Sequence, residues 1–171
     1  MPSRTDRRPL PATPRITVDD LTGTDIVALL AEHVEEMRAN SPTGSMHALD
    51  LDALRHPDIT FWSVWDGPDL VGCGALKELD PTHGEIKSMR TAAGHTGRGI
   101  AATLLTHVIE VARTRRYHRL SLETGASDFY LPAVRLYARH GFRTCPPFAD
   151  YTEDLHSVFM TRTLRPPAHG E

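Results

Sequence analysis

A glycine-containing segment in the second half of the chain has the residue types that bind phosphate groups. It reads His95-Thr96-Gly97-Arg98-Gly99-Ile100-Ala101 and lies between a predicted strand and the most regular predicted helix. Glycine lets the backbone approach a ligand closely, and the start of a helix offers unpaired N–H groups and the positive end of its dipole. The segment therefore predicts a phosphate or pyrophosphate site. A tight turn before a closely packed helix is the alternative interpretation.

The same glycines also fit the dinucleotide fingerprint, as Gly97-x-Gly99-x-x-Ala102 with Glu123 ending the next strand. In a dinucleotide fold the first strand is buried on both faces and is almost wholly apolar. Here the preceding strand, Glu85–Thr91, carries several charged and polar residues, and a long loop separates it from the glycines. The motif also comes too late in the chain for the usual series of βα units. A nicotinamide-dependent oxidoreductase is therefore a remote alternative.

A second block, Leu136-Tyr137-Ala138-Arg139-His140-Gly141-Phe142, follows the glycine loop with a strand between them. By itself it predicts a helix that ends at a glycine in the C′ position, with aromatic residues in the core. Taken together, the two blocks resemble the GNAT superfamily of N-acetyltransferases. The coenzyme signature of that family, R/Q-x-x-G-x-G/A, falls on Thr96 to Ala101 with Thr96 in the first position, and the second block resembles its L-Y-x-x-x-G-F. The resemblance covers roughly Thr60 to Leu164.

The resemblance implies an α/β (α+β) fold with a mixed central sheet of about six to seven strands, flanked by about four helices. It also implies that acetyl-CoA lies between a splayed fourth and fifth strand, with its pantetheine paired to the backbone of the fourth strand. The pyrophosphate would lie on the N–H groups of the glycine loop. The implied coenzyme-binding residues are Met89, Arg90, Thr91, Thr96, Gly97, Arg98, Gly99, Ile100, Ala101 and Tyr130, the last standing where the family often has Asn.

The resemblance further implies that the amine attacks the thioester directly. An alkyl ammonium has a pKa of about 10.4, so it must lose a proton before it can attack. Glu85 is the expected base, acting through water, and Glu123 is the alternate base. Tyr137 occupies the family's position for the acid that protonates the departing thiolate. The N–H near Met89 is the expected donor to the oxyanion. The acceptor pocket is expected from the first two helices and a late loop, with His33, Glu36, Met37, His47, Phe148 and Tyr151.

Hydrophobic periodicity predicts the elements that position these residues. Three consecutive antiparallel strands are expected at Thr60–Trp65, Leu70–Leu79 and Glu85–Thr91, and further strands at Arg15–Val18, Arg119–Glu123 and Ser157–Leu164. Helices are expected at Asp25–Asn40, Leu49–Leu54, Gly99–Arg116 and Tyr130–His140. The glycine loop follows the third strand of the meander, and the Tyr137 block ends the last helix.

Composition narrows the class of protein. The chain of 171 residues fits one domain, 15–164, between a Pro-rich leader at 1–14 that is expected to be disordered and a short tail at 165–171. A net charge of −3 argues against nucleic acid as a partner, and no apolar run is long enough to span a membrane. Two distant cysteines and ten histidines without ligand spacing predict free thiols, a cytoplasmic protein and no metal.

The function expected from the sequence is transfer of an acetyl group from acetyl-CoA to a primary amine of a small molecule or peptide. A catalytically silent acyl-CoA-binding or regulatory domain is the alternative from a different class. The identity of the amine stays open at this point, as does a homodimer, which is common among relatives.

Overall fold

The computed structural model describes residues 14–42 and 50–164. These residues form a seven-stranded sheet in the order β1-β2-β3-β4-β5-β7-β6. The strands are β1 (Arg15–Val18), β2 (Ile59–Asp66), β3 (Asp69–Asp80), β4 (His83–Thr91), β5 (Arg119–Gly125), β6 (Arg143–Thr144) and β7 (Ser157–Thr163). The helices are α1 (Thr24–Asn40), α2 (Leu51–Leu54), α3 (Ile100–Thr114) and α4 (Leu131–Arg139), with a 3-10 turn at Asp128–Tyr130 before α4.

Helices pack on both faces of the sheet. On one face lies α3, whose apolar stripe of Ile100, Leu104, Leu105, Val108, Ile109 and Ala112 is buried together with Ile86 of β4 and Leu122 of β5. On the other face, Ile26, Leu29 and Leu30 of α1 pack with Phe61, Cys73 and Ala75. The predicted α/β architecture with a mixed sheet is confirmed.

Strands β1 to β4 form an antiparallel meander, whereas β4 and β5 run parallel and are connected through α3. The β4–β5 pairing runs from His83 opposite Arg119 to Ile86 opposite Leu122 and then stops. Both strands continue past this point, β4 to Thr91 and β5 to Gly125, where β5 still pairs with β7. The two strands therefore diverge and leave a wedge between Lys87–Thr91 and Glu123–Gly125.

A β-bulge in β4 lies beside this wedge. Cys73 of β3 is opposite Arg90, and Ala75 is opposite Lys87, so β4 has one residue more than β3 over this interval. Ser88 absorbs the extra residue with a φ of 57°, a left-handed conformation that is uncommon for a residue with a side chain. As a result, Ile86 and Met89 pack on the α3 side, while Lys87 and Arg90 contact groups on the opposite side.

The predicted helices and strands are confirmed, with ends that differ by at most two residues. Leu49, the predicted start of the second helix, lies outside the described residues. The helix expected from Tyr130 begins at Leu131, with Tyr130 in the preceding 3-10 turn. Strand β6 was not predicted: it has two residues and pairs only with β7, so it leaves no periodicity in the sequence. The leader and tail predictions, except for Pro14, and His47 fall outside the described residues. Within 14–42 and 50–164, no helix has the length and apolar character needed to cross a membrane.

Candidate active site

A cavity of about 830 Å³ occupies the wedge between the diverging strands. Its walls come from residues 85–91 of β4, residues 123–125 of β5, the inner side of α1 and the start of α4. The size lies within the range of about 300–1,000 Å³ typical of small-molecule sites. Because the wedge exists only where the β4–β5 pairing has stopped, the cavity is a direct product of the sheet topology.

Tyr137 projects into this cavity from the last turn of α4. The helix ends in a Schellman motif: the N–H of Gly141 donates to the carbonyl of Ala138 at 3.1 Å, and the N–H of Phe142 donates to the carbonyl of Tyr137 at 3.1 Å. Gly141 has a φ of +86°, which explains the glycine, and the Tyr137 and Phe142 rings meet edge to face at 5.7 Å. The block LYARHGF thus both terminates the helix and orients the tyrosine. Burial raises the pKa of the Tyr137 hydroxyl, which stays protonated at neutral pH.

Glu85 lies at the inner end of the wedge and is almost fully buried. Its Oε2 atom accepts a hydrogen bond from Lys87 Nζ at 2.9 Å and another from the Tyr151 hydroxyl at 2.6 Å. Lys87 Nζ also donates to the Tyr151 hydroxyl at 3.1 Å, which closes a triangle of three polar groups. Burial, followed by the charge of Glu85, raises the pKa of Tyr151. Oε2 is therefore engaged by two donors, and the role of Glu85 as the base stays a prediction.

Glu123, the alternate base, faces the same cavity from β5. Its Oε1 accepts a hydrogen bond from the Ser157 hydroxyl at 2.8 Å. Two carboxylates thus approach the wedge, one from each of the strands that border it. The role of either carboxylate as the base stays a prediction.

The glycine loop follows β4 directly and leads into α3. Gly94, Gly97 and Gly99 have φ values of +82°, +77° and +76°. Apart from the adjoining residues, a Cβ atom built on any of them would meet no atom of the described part of the chain within 4 Å. Gly99 is the N-cap of α3, and no side chain caps the N–H groups there. The first N–H groups of α3 are therefore available to an anion, and the positive φ angles explain why glycine is needed.

The Arg98 side chain turns away from this helix start. Its Nη2 atom forms an ion pair with Asp66 at 3.0 Å, and its Nη1 atom contacts His95 Nδ1 at 2.6 Å. The pair ties the glycine loop to the end of β2. A role of Arg98 in binding the coenzyme stays a prediction, and the structure offers its backbone rather than its guanidinium for it.

Tyr130 connects two elements across the cavity. Its hydroxyl hydrogen-bonds to the Ser41 hydroxyl at 2.6 Å, at the end of α1. Its ring covers Gly125, where a Cβ atom would lie 2.1 Å from the ring, so Gly125 must lack a side chain. Tyr130 lines the cavity, and its expected contact with the coenzyme stays a prediction.

Comparison with known proteins identifies the family. The model of the acetyltransferase (GNAT) family matches residues 26–142. The uncharacterized N-acetyltransferase YsnE of Bacillus subtilis is 57% identical over 149 residues, which cover 87% of this chain and 99% of the relative. The uncharacterized N-acetyltransferase YedL of Escherichia coli is 52% identical over 149 residues, covering 87% and 94%.

The chain belongs to the GNAT acetyltransferase family. The predicted class, an acetyl-CoA-dependent acyltransferase, is confirmed by this membership. A GNAT family acetyltransferase from Elizabethkingia anophelis, crystallised with acetyl-CoA bound, has the same fold at a TM-score of 0.64 and 19% identity, over 90% of this chain and 100% of that one. The nicotinamide alternative is excluded by the family and by a sheet in which β4 is antiparallel to β3.

The GNAT cavity brings together most of the residues predicted from the sequence. Its lining includes Glu85, Met89, Arg90, Thr91, Thr96, Tyr130 and Tyr137, and from the expected acceptor set His33, Glu36, Met37 and Tyr151. Residues 97–101 continue from Thr96 outside the lining, and Phe148 lies behind Tyr151 with ring centroids 5.1 Å apart.

Sequence reasoning missed Lys87 and the side chain of Arg90. Both were treated as polar residues of an ordinary strand, and Arg90 was assigned a backbone contact alone. The bulge at Ser88, which places the Arg90 side chain on the same side of the sheet as Lys87, has no sequence signature. The run of Glu85, Lys87 and Arg90 in one strand was the available signal.

Metal and thiol chemistry can be assessed for the described residues. Among 14–42 and 50–164, no three His, Cys, Asp or Glu side chains are grouped so that they could hold a metal ion. Cys73 and Cys145 are free thiols. Burial raises the pKa of Cys73 to about 12, which makes it an unreactive core residue.

Proposed function

We propose that this GNAT enzyme transfers an acetyl group from acetyl-CoA to a primary amine of a small molecule, by direct attack of the amine on the thioester. The observation that carries the proposal is the β4–β5 wedge, which ends in a cavity faced by Tyr137 on one side and by Glu85 and Glu123 on the other. A hydroxyl donor and carboxylate acceptors are the two kinds of group that the reaction needs at one place. A cytoplasmic location and a homodimer remain predictions from the sequence.

The wedge and the glycine loop suit the two ends of the coenzyme. The β5-facing edge of β4 beyond Ile86 has lost its strand partner, so its backbone can pair with the extended pantetheine amides. The uncapped start of α3, beyond Gly99, suits the pyrophosphate. These two sites follow each other along the chain, in the order in which the two parts of the coenzyme are joined.

The proposed reaction balances without a covalent enzyme intermediate. The bound ammonium first loses one proton, which passes to solvent. The amine nitrogen then forms a bond to the acetyl carbon, the carbon–sulfur bond breaks, and the second proton lost by the nitrogen is matched by the proton gained by the CoA thiolate. Glu85 or Glu123 accepts the first proton, through water, before it reaches solvent. Tyr137 donates a hydrogen bond to the sulfur or returns a proton to it, because its side chain lines the cavity and burial keeps its hydroxyl protonated.

A thiol-release assay with acetyl-CoA and a panel of amines tests the proposal. The wild type should release CoA with at least one amine. Tyr137→Phe should lower kcat by about a hundredfold or more, since a positioned acid or base contributes about 10²–10⁴ in rate. The affinity of this variant for acetyl-CoA, measured by calorimetry, should stay within about threefold of the wild-type value, because the hydroxyl is not expected to bind the coenzyme. A tenfold change would require a difference of about 1.4 kcal/mol in binding free energy.

Tyr117→Phe is the matched control, because Tyr117 is also buried but its hydroxyl donates to Glu78 outside the cavity. This variant should keep its kcat. Tight acetyl-CoA binding without thiol release for any amine would instead support the catalytically silent alternative. Absence of acetyl-CoA binding would refute both interpretations.

A further inference from the structure

Three charged side chains of β4 enter the acceptor side of the cavity. Glu85, Lys87 and Arg90 all line it, and their side chains are only 4%, 9% and 11% exposed. The spacing of two and then three residues follows from the bulge at Ser88. Glu85 and Lys87 neutralise each other at 2.9 Å. Within β4, the positive charge of Arg90 is therefore the one in excess.

The partners of Arg90 come from α1 and are much more exposed than the arginine. Its Nη1 atom hydrogen-bonds to Glu36, and its Nη2 atom lies 3.9 Å from Glu32. The two glutamate side chains are 45% and 61% exposed. Among the described residues, its Nε–H has no hydrogen-bond partner although it is buried. Since a buried donor without a partner is costly, this guanidinium has unused capacity to bind an acceptor group.

The difference in solvent exposure between Arg90 and Glu36 decides which of the two a ligand group can replace. Glu36 can turn into water because its side chain is 45% exposed, provided that a ligand carboxylate replaces it beside the buried guanidinium. Arg90 cannot leave, because its stem is buried between β4 and α1. A carboxylate from a ligand can therefore take the place of Glu36 on the planar guanidinium, which binds carboxylates through two parallel hydrogen bonds.

Part of the acceptor wall is apolar. The first helix and the short second helix turn several aliphatic side chains to the cavity, namely Val27, Leu30, Ala31, Val34, Leu51 and Leu54. The acidic residues Glu35 and Asp50 also line the cavity, but both are exposed to solvent. They lie in water and do not offset the buried arginine.

We propose that the acceptor is an amine that also carries a carboxylate, an α-amino acid with an apolar side chain, and that Arg90 binds this carboxylate in place of Glu36. The aliphatic wall of α1 and α2 then holds the side chain of the acceptor. This inference rests on the proposed acetyltransferase function. The chemistry at the amine is unchanged: the carboxylate stays intact while the nitrogen–acetyl bond forms and the carbon–sulfur bond breaks.

Matched acceptor pairs test the inference. Leucine and phenylalanine are compared with leucinamide and phenylalaninamide in the thiol-release assay, so that only the carboxylate differs. The wild type should prefer each acid over its amide by tenfold or more in kcat/KM. Arg90→Gln should reduce that ratio to near one, mainly by lowering the rate with the acids.

Glu36→Gln should change the rate with the acids in the opposite direction to Arg90→Gln. This change removes the internal competitor for Arg90, so kcat/KM for the acids should rise severalfold while the amides change little. Arg38→Gln is the control, because Arg38 also lines the cavity from α1 but is exposed, and it should leave the acid-to-amide ratio unchanged. The affinity for acetyl-CoA is measured for every variant, and an unchanged value shows that the coenzyme-binding part of the cavity is still folded.

Several outcomes would overturn the inference. Equal rates for acids and amides in the wild type, equal loss for both in Arg90→Gln, or a loss for the acids in Glu36→Gln would each give Arg90 a structural role only. Inactivity of both pairs, with acetylation of other amines, would also overturn it and leave the proposed function intact. No thiol release with any amine refutes the proposed function itself, and the inference with it.

Discussion

At the residue scale, the helix end that carries Tyr137 was predictable from the sequence, because its hydrogen bonds and its aromatic contact are local. The glycine four residues later and the phenylalanine after it form the helix end that holds the ring. Glu85 is different. Its contacts with Lys87 and with Tyr151 depend partly on a loop 66 positions away in the chain. Its type and strand were predictable, whereas its engagement in a buried triangle was not.

His33 supports a prediction about pH at this scale. Burial, and then the charge of Arg90, lowers its pKa to about 4 in the folded protein. In the unfolded chain His33 takes up its proton near pH 6.5. Between about pH 6.5 and about pH 4 the unfolded state therefore binds more protons than the folded state. The stability contributed by neutral His33 is therefore fully present above about pH 6.5 and is lost progressively as the pH falls from about 6.5 to about 4.

Urea unfolding at about pH 7 and about pH 5 measures this effect. The free energy of unfolding of the wild type should fall between these pH values, and His33→Gln should make the fall smaller. His56→Gln serves as the control, because the side chain of His56 is 60% exposed. An identical pH dependence for the wild type and His33→Gln would show that His33 titrates normally.

At the element scale, the elements with long regular patterns were predicted well. The α3 stripe follows from a period of 3.6 residues, because α3 buries one continuous face. Strands β2 and β3 are buried on both faces, and their signal is the residue types together with the Asp-Gly turn between them. The two-residue β6 could not be predicted, because its only reason to be extended is its pairing with β7. The bulge in β4 belongs to the same class: it is set by the register with β3.

The glycine loop gives a prediction that separates strain from function. Gly99→Ala places a side chain at a φ of +76° with open space around it, which should cost about 1–2 kcal/mol of stability through backbone strain. In addition, it should weaken acetyl-CoA binding by roughly tenfold or more, equivalent to about 1.4 kcal/mol, because the N–H groups of the helix start shift.

Gly94→Ala provides a closely matched control. Its φ is +82° and its surroundings are equally open, but it lies outside the predicted phosphate motif. The stability loss should be similar and the affinity for acetyl-CoA nearly unchanged, as measured by thermal melting and calorimetry. Equal weakening of coenzyme binding by both substitutions would indicate that the loop acts through its overall shape and not through the amides at Gly99.

At the scale of the whole molecule, the site exists because one parallel pair interrupts a sheet of antiparallel strands. The crossover through α3 brings β5 beside β4, and the pairing covers only four residue pairs before the strands diverge. The cavity, the edge of β4 and the helix start then lie along one path. Coenzyme binding across this wedge should stabilise the entire fold.

A melting experiment tests that expectation. Acetyl-CoA at about a hundred times its Kd stabilises the folded state by about 2.7 kcal/mol. For a domain of this size, each kcal/mol corresponds to about 2–4 °C, so Tm should rise by about 5–10 °C. NADH at the same concentration should leave Tm unchanged. A shift with NADH and none with acetyl-CoA would contradict the proposed occupant of the wedge.

The sequence by itself determined what short-range chemistry can encode: the glycines at the start of α3, the helix end that carries Tyr137, the strands of the meander and the family to which these motifs point. Their residue types and local spacing carry that information because each depends on neighbours within a few turns of chain. Only the tertiary structure decided how Glu85, Lys87, Tyr151, Arg90 and Glu36 pair. Those contacts depend on where β4 and β5 separate and on the bulge at Ser88, which arise from strand register between distant segments.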